Sequence, residues 1–239
     1  MGTIVRTTLL VMVLIVSVGS VYASEAPQKA VPQGKMDVLI EPEFSVNKAR
    51  TAVLIMDYEN DIIQSLPEDV RVPLIERAGR VIKEARQANI PVIYVVVRFR
   101  DGYPEVNPHN KLFRGVKESG RLREGTIGAE IDPNVAPLPS EVVVTKRRVG
   151  AFSTTDLETV LRARNISTIV LCGISTSGVV LSTVRWAADM DYSLVVVSDA
   201  CADRDPEVHR VLMDKVFPWQ ATVVTSREFL KAIGVKDTK

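Results

Sequence analysis

From residue 51 onward, short uninterrupted apolar runs alternate with longer stretches in which apolar side chains recur every three or four positions. "TAVLIMD" (51–57) and "PVIYVVVRF" (91–99) are runs of the first kind, as are "EVVVTK" (141–146), "TIVLCG" (168–173), "SLVVVSD" (193–199) and "ATVVTS" (221–226). Runs this short and this continuous predict strands buried on both faces, because a strand with one face in water would alternate. Between the first two, "VPLIERAGRVIKEARQAN" (72–89) sets Leu74, Ile75, Ala78, Val81, Ile82 and Ala85 at helical spacing with charges opposite. Helices are also expected over 155–164, 178–190, 206–217 and 227–234, the first opened by a Thr155/Glu158 capping box. Six strands alternating with helices predict an α/β fold of three layers, α/β/α, around a six-stranded mostly parallel sheet, since parallel neighbours need crossover connections.

Three segments fall outside that alternation. Residues 1–23 combine an early Arg6, an apolar run over about 9–18 and small residues before Ser24, which predicts a cleaved export signal. The run is shorter than the ~20 apolar residues of a spanning helix, so no membrane association is expected after cleavage. Residues 24–50 are polar and proline-bearing, a lead-in to a single domain at 51–239. The third segment, 100–140, is rich in Gly, Pro and Asn, and a connection of that length predicts a lid or pocket wall.

Charge narrows the partners. Arg6 is the one charged residue of 1–23, so the processed chain carries equal numbers of basic and acidic side chains. A neutral surface without a basic tract argues against nucleic acid, which needs clustered Lys and Arg. Cys172 and Cys201 would meet an oxidising compartment after export, yet both sit at strand ends, where buried free thiols are expected over a disulfide.

Ligands of such sheets bind beyond the carboxyl ends of the strands. That rule selects Asp57, Arg98, Lys146, Gly173 to Val179 and Asp199. A convergent Asp57 and Lys146 would hold, give or take a proton. The turn after the fourth strand, "GISTSGVV" (173–180), would point backbone N–H groups of a helix start at a bound oxyanion or carboxylate.

These segments in this order, "VLIMD" followed by "VVVTKRRVGAFSTTDLETVLRARNISTIVLCGISTSGVVLSTVRWAADMDYSLVVVSDACAD", resemble the isochorismatase-like family of cysteine hydrolases over roughly residues 50–230. The resemblance implies a Rossmann-like fold and a catalytic set of Asp57, Lys146 and a cysteine closing a G-x-x-T-x-x-C turn. It implies also a pocket wall at Phe152; the strand-end rule adds substrate contacts expected from Arg98 and from Ser175, Thr176, Ser177, Gly178 and Val179 of the turn. Laid from Gly173, that pattern puts Thr176 on the family threonine and Val179 on the nucleophile; a one-residue slip puts Gly178 there. Neither can attack a carbonyl.

Cys172 lies seven residues before that position, on the strand, and a serine nucleophile at 175 or 177 would need a base that His109 and His209 are not evidently placed to provide. The metal set of the family's nicotinamidases is not matched by "RFRDGYPEVNPHN", with its lone His109 and scattered acids, so neither metal nor cofactor is expected. The family's isochorismatases suggest a route without cysteine: an Asp protonates the enol carbon of a vinyl ether and water captures the cation. That route requires burial of Asp57 to outweigh the acidifying effect of Lys146. Against it stand the export signal and Val149, where some isochorismatases carry an aromatic. The expectation is therefore an exported hydrolase of a small molecule acting through Asp57 and Lys146. A non-catalytic small-molecule-binding protein on the same scaffold is the rival, a Cys172-dependent amidase the third reading, and homo-oligomerisation is left open.

Overall fold

The computed structural model describes residues 44–236. The expected export signal and residues 24–43 of the lead-in lie outside them. Of that lead-in, Phe44 and Val46 pack against the core, so the packed chain begins ahead of the first strand.

Elements follow in the order β1 (Thr51–Met56), α1 (Asn60–Ile63), α2 (Glu68–Gln87), β2 (Val92–Val97), α3 (Lys111–Ser119) and β3 (Val142–Lys146). Then come α4 (Leu157–Ala163), β4 (Thr168–Ile174), α5 (Leu181–Asp189), β5 (Ser193–Ala202), α6 (Pro206–Val211), β6 (Thr222–Val224) and α7 (Ser226–Ala232). The six strands form one sheet in the order β3-β2-β1-β4-β5-β6. Every pairing in it is parallel. All residues of β1 and β2 are buried, which explains runs that never alternate: each face of the sheet is covered. One core packs α2 and α7 against residues such as Val53, Ile55 and Tyr94; the other packs α4 and α5 against Leu54, Met56 and Leu171.

Four local outcomes differ from the sequence expectation. Helix α2 begins at Glu68 instead of Val72, because the N–H groups of Val70 and Arg71 close onto Pro67 O ahead of Pro73. The Thr155/Glu158 capping box does not form; Thr155 Oγ1 instead donates to Ala151 O at 2.7 Å, and the true capping box is Thr225/Glu228 on α7. The helix expected over 206–217 is α6 followed by a π turn (Leu212–Val216) and a 3-10 turn (Phe217–Trp219). The 100–140 segment holds α3, capped by Asn110 and ended by Gly120 at φ 69°, over a small apolar cluster of Val97, Phe99, Tyr103, Val106, Phe113 and Leu122. That cluster anchors the segment to the end of β2.

The chain leaves β1 toward β2 and β3, then crosses to β4 on the other side. The carboxyl ends of β1 and β4 thus flank the point where strand order reverses, the place where open α/β sheets bind ligands. Asp57 follows β1 there, and the 173–180 turn leaves β4.

Candidate active site

Asp57 is the first residue past β1 and adopts φ 60°, a left-handed turn that Asp tolerates better than most non-glycine residues and that takes the chain sharply off the strand end. Its N–H donates to Val95 O at 2.9 Å, which ties it to β2. Lys146, the last residue of β3, is 1% exposed and its Nζ donates to Asp57 Oδ2 at 2.8 Å and to Arg148 O at 3.1 Å. The sheet therefore brings the two predicted chemical residues together across β2. Burial raises the Asp57 pKa to about 6 despite the lowering influence of Lys146. That is the balance an acid catalyst requires.

Glu59, which sequence reasoning passed over, lies fully buried in the same place. Its Oε1 accepts from the Val97 N–H at 2.5 Å, and Val97 is the register partner of Lys146. Burial pushes its carboxyl well above the usual range, and the neighbouring Asp57 pushes it further. Asp57 Oδ1 and Glu59 Oε2 meet no hydrogen-bond partner. The one sequence signal was an acid two positions after a strand-end acid, a spacing that a solvated loop shows equally well.

The turn after β4 is built differently. Gly173 leaves no room for a side chain: a Cβ there would lie 3.1 Å from Val180 Cγ2 and 3.2 Å from Met56 Cβ. A Cβ on Gly178 would fall 2.6 Å from Ser175 Oγ. The Ile174–Ser175 peptide is cis, and residues Thr176–Val180 form a π turn ahead of α5. Several of the donors expected of this turn are taken. Ser177 N–H donates to Asp203 Oδ2 at 2.7 Å, and Gly178 and Val180 N–H donate to Ser175 O. Thr176 is buried with its hydroxyl 2.8 Å from His209 Nδ1, so His209 does reach the turn, through Thr176 and not through a serine. Val179 is 1% exposed and packs in the apolar core on the α5 side.

Over these strand ends lies a cavity of about 420 Å³. Ile174, Ser175 and Ser177 line it from the turn, Val97 from β2, and Leu112, Phe113 and Val116 from α3. The 100–140 segment is thereby a wall of this cavity. Arg121, which donates to Asp61 O, Arg204, whose Nε donates to Ser65 Oγ, and Asp203 also line it, whereas Asp57, Glu59 and Lys146 do not.

Other singled-out residues sit elsewhere. Arg98 turns from the cavity: its guanidinium donates to Ala129 O at 2.8 Å and pairs with Glu130 at 3.3 Å, fastening the long segment to β2. Phe152 is buried against Tyr192 with ring centroids 6.1 Å apart, in the core that also holds Val179. Asp199 accepts from Ser226 N and Oγ at the start of α7. Cys172 and Cys201 are free and buried in cores on opposite faces of the sheet. Burial raises both thiols, that of Cys201 to about 12, which disfavours the thiolate a nucleophile needs. Asp101 pairs with Arg123, and among the described residues no group of three or more His, Cys, Asp and Glu is placed to hold a metal ion.

Comparison with known proteins places this geometry. A family model described as the isochorismatase domain matches residues 51–228. The isochorismatase family protein YwoC of Bacillus subtilis is 31% identical over 190 residues, covering 80% of this chain and 97% of its own. A probable isochorismatase of Pseudomonas chlororaphis is 28% identical over 191 residues, covering 78% of this chain and 87% of its own. Among solved structures, a cysteine hydrolase from Pseudomonas syringae pv. phaseolicola superposes with a TM-score of 0.72 at 26% identity, covering 80% of this chain and 95% of that one.

Proposed function

The chain belongs to the isochorismatase family of hydrolases, and we propose that it cleaves a C–O or C–N bond of a small molecule by acid–base chemistry at Asp57, without a cysteine nucleophile. The observation that carries this reading is the Lys146 Nζ to Asp57 Oδ2 bond of 2.8 Å at a strand-end site where burial dominates. A protonated Asp57 gives its proton to the substrate, to the enol carbon in the case of a vinyl ether. Lys146 then stabilises the carboxylate that forms, and water adds to the electron-poor carbon. The cavity between the β4 turn and α3, with its apolar wall and its Arg121 and Arg204, is the proposed entry for an organic acid, which must reach past Val97 and Ile174 to meet the buried Asp57. Val179 in place of a nucleophile is consistent with a route that forms no covalent intermediate.

A panel of vinyl ethers, amides and small esters tests the proposal: turnover in the wild type should vanish in Asp57→Ala, and undiminished turnover in that variant removes Asp57 from the mechanism. The second reading, a binding protein on this scaffold, is favoured by the buried Val179 and the N–H groups consumed within the turn. Binding of panel compounds without turnover of any would establish it. Export is part of the proposal, on the pattern of residues 1–23; intact mass of the protein recovered outside the cytoplasm should begin at Ser24.

A further inference from the structure

The strand-end site contains more acid than its reaction requires. Two buried carboxyl groups, Asp57 and Glu59, share it with one ammonium, that of Lys146. These two, Asp57 from the end of β1 and Lys146 from β3, are the charged groups that face Glu59. Lys146 donates to Asp57 Oδ2 and Arg148 O and to neither oxygen of Glu59, so it acts on Glu59 through space alone, lowering its proton affinity by less than burial and Asp57 raise it. The donors that reach the Glu59 carboxyl are neutral backbone N–H groups, that of Val97 on Oε1 at 2.5 Å and its own, while Oε2 has no hydrogen-bond partner. An ionised carboxylate with a bare oxygen in a dry interior is costly, whereas a proton on that oxygen removes the charge and supplies a donor.

We propose that Glu59 stands in the resting site as a neutral carboxylic acid and acts as the proton store of Asp57, a positioning residue that works through Asp57 and does not itself meet the substrate. The proposal rests on the Asp57 reading above for its role in turnover, but its protonation state stands independently. In the cycle, Asp57 loses its proton to the substrate and becomes a carboxylate. Glu59 returns a proton to Asp57 from Oε2 and becomes the carboxylate in its place. The water that adds to the substrate releases a proton, which restores Glu59. One water is consumed, and both carboxyl groups end as they began.

Burial and then the Asp57 charge raise the proton affinity of Glu59 and outweigh the lowering by Lys146 and the backbone N–H groups, in the direction the geometry requires. Coupled carboxyls lose their protons in macroscopic steps belonging to the pair. In the single-proton state a fixed fraction of molecules carries the proton on Asp57. The wild-type rate should therefore fall as pH rises through about 6 onto a shoulder that persists to the second step. Without Glu59 the rate should fall by about tenfold for each pH unit, with no shoulder.

Two measurements test this. Protein labelled with 13C at the glutamate δ-carboxyl is titrated by NMR. Among the described residues Glu59 is the one glutamate with no exposure, and its carboxyl should remain protonated at pH 7 and be missing from the spectrum of Glu59→Gln. Should Glu59→Gln fail to fold, the wild-type spectrum still decides, since ionisation of every glutamate by pH 7 overturns the proposal. The pH profile of kcat/KM on a panel substrate is the second measurement. Loss of the shoulder in Glu59→Gln supports the store, while a uniform drop at all pH values assigns Glu59 a structural role only. If no panel compound is turned over, the functional reading fails, and the NMR titration alone still settles the protonation of Glu59.

Discussion

Two halves of the same strand-end site lie on either side of the strand-order reversal and have opposite characters. On the β1-β2-β3 side, three ionisable side chains are buried together, with two carboxyl oxygens unpartnered and one residue held at φ 60°. On the β4 side, several donors of the turn close on Ser175 O and Asp203, its threonine meets His209, and Val179 packs in the core. Unsatisfied buried polar atoms persist where function maintains them. The contrast is what the proposed reading rests on: chemistry on the acid side, with the turn as a wall of the cavity.

The largest effect expected from breaking the acid side is on rate. Asp57→Asn should lower kcat/KM on any panel substrate by about 10²–10⁴-fold, the usual worth of a positioned acid. Next comes stability. Lys146→Ala leaves Asp57 buried without its counter-charge and should cost about 3–5 kcal/mol at pH 7 in urea unfolding. A milder form of the same break uses pH alone. Asp57 binds its proton with a pKa of about 6 in the fold against a usual 3.8, and Glu59 is also raised, so the folded state holds more protons than the unfolded chain. Their contribution is fully present below about pH 4 and is lost as pH rises through about 6 and beyond. Urea midpoints across that range should fall with pH, and less so in Glu59→Gln. The smallest effect should come from the turn side: Val179→Cys is a near-isosteric core change and should cost less than about 1.5 kcal/mol. A panel rate strongly raised by that substitution would move the chemistry back to the turn.

Fold and site were unequally legible in the sequence. Strands such as β1 and β2 announce themselves because burial on both faces forces continuous apolar runs, and the strand-end rule then finds Asp57 and Lys146. Glu59 escaped because nothing local distinguishes a buried acid from a solvated one; its burial comes from distant chain, Val97 at the end of β2 and the bridge to Ile131 in the long segment. Arg98 shows the converse. Its position at a strand end is as foreseen, but side-chain direction is set by the loop it meets, and Ala129 and Glu130 draw it away from the cavity. α3 was hidden within a Gly- and Pro-rich segment, where its apolar face is only a few residues long.

Hydrolysis of a panel substrate by a Cys172→Ala/Cys201→Ala protein, followed against pH, tests the central claim most directly. Rates equal to wild type that decline as pH rises through about 6 are predicted for an Asp57 acid. A protein left inactive by Cys172→Ala while still folded would contradict it, and would return the reaction to a cysteine.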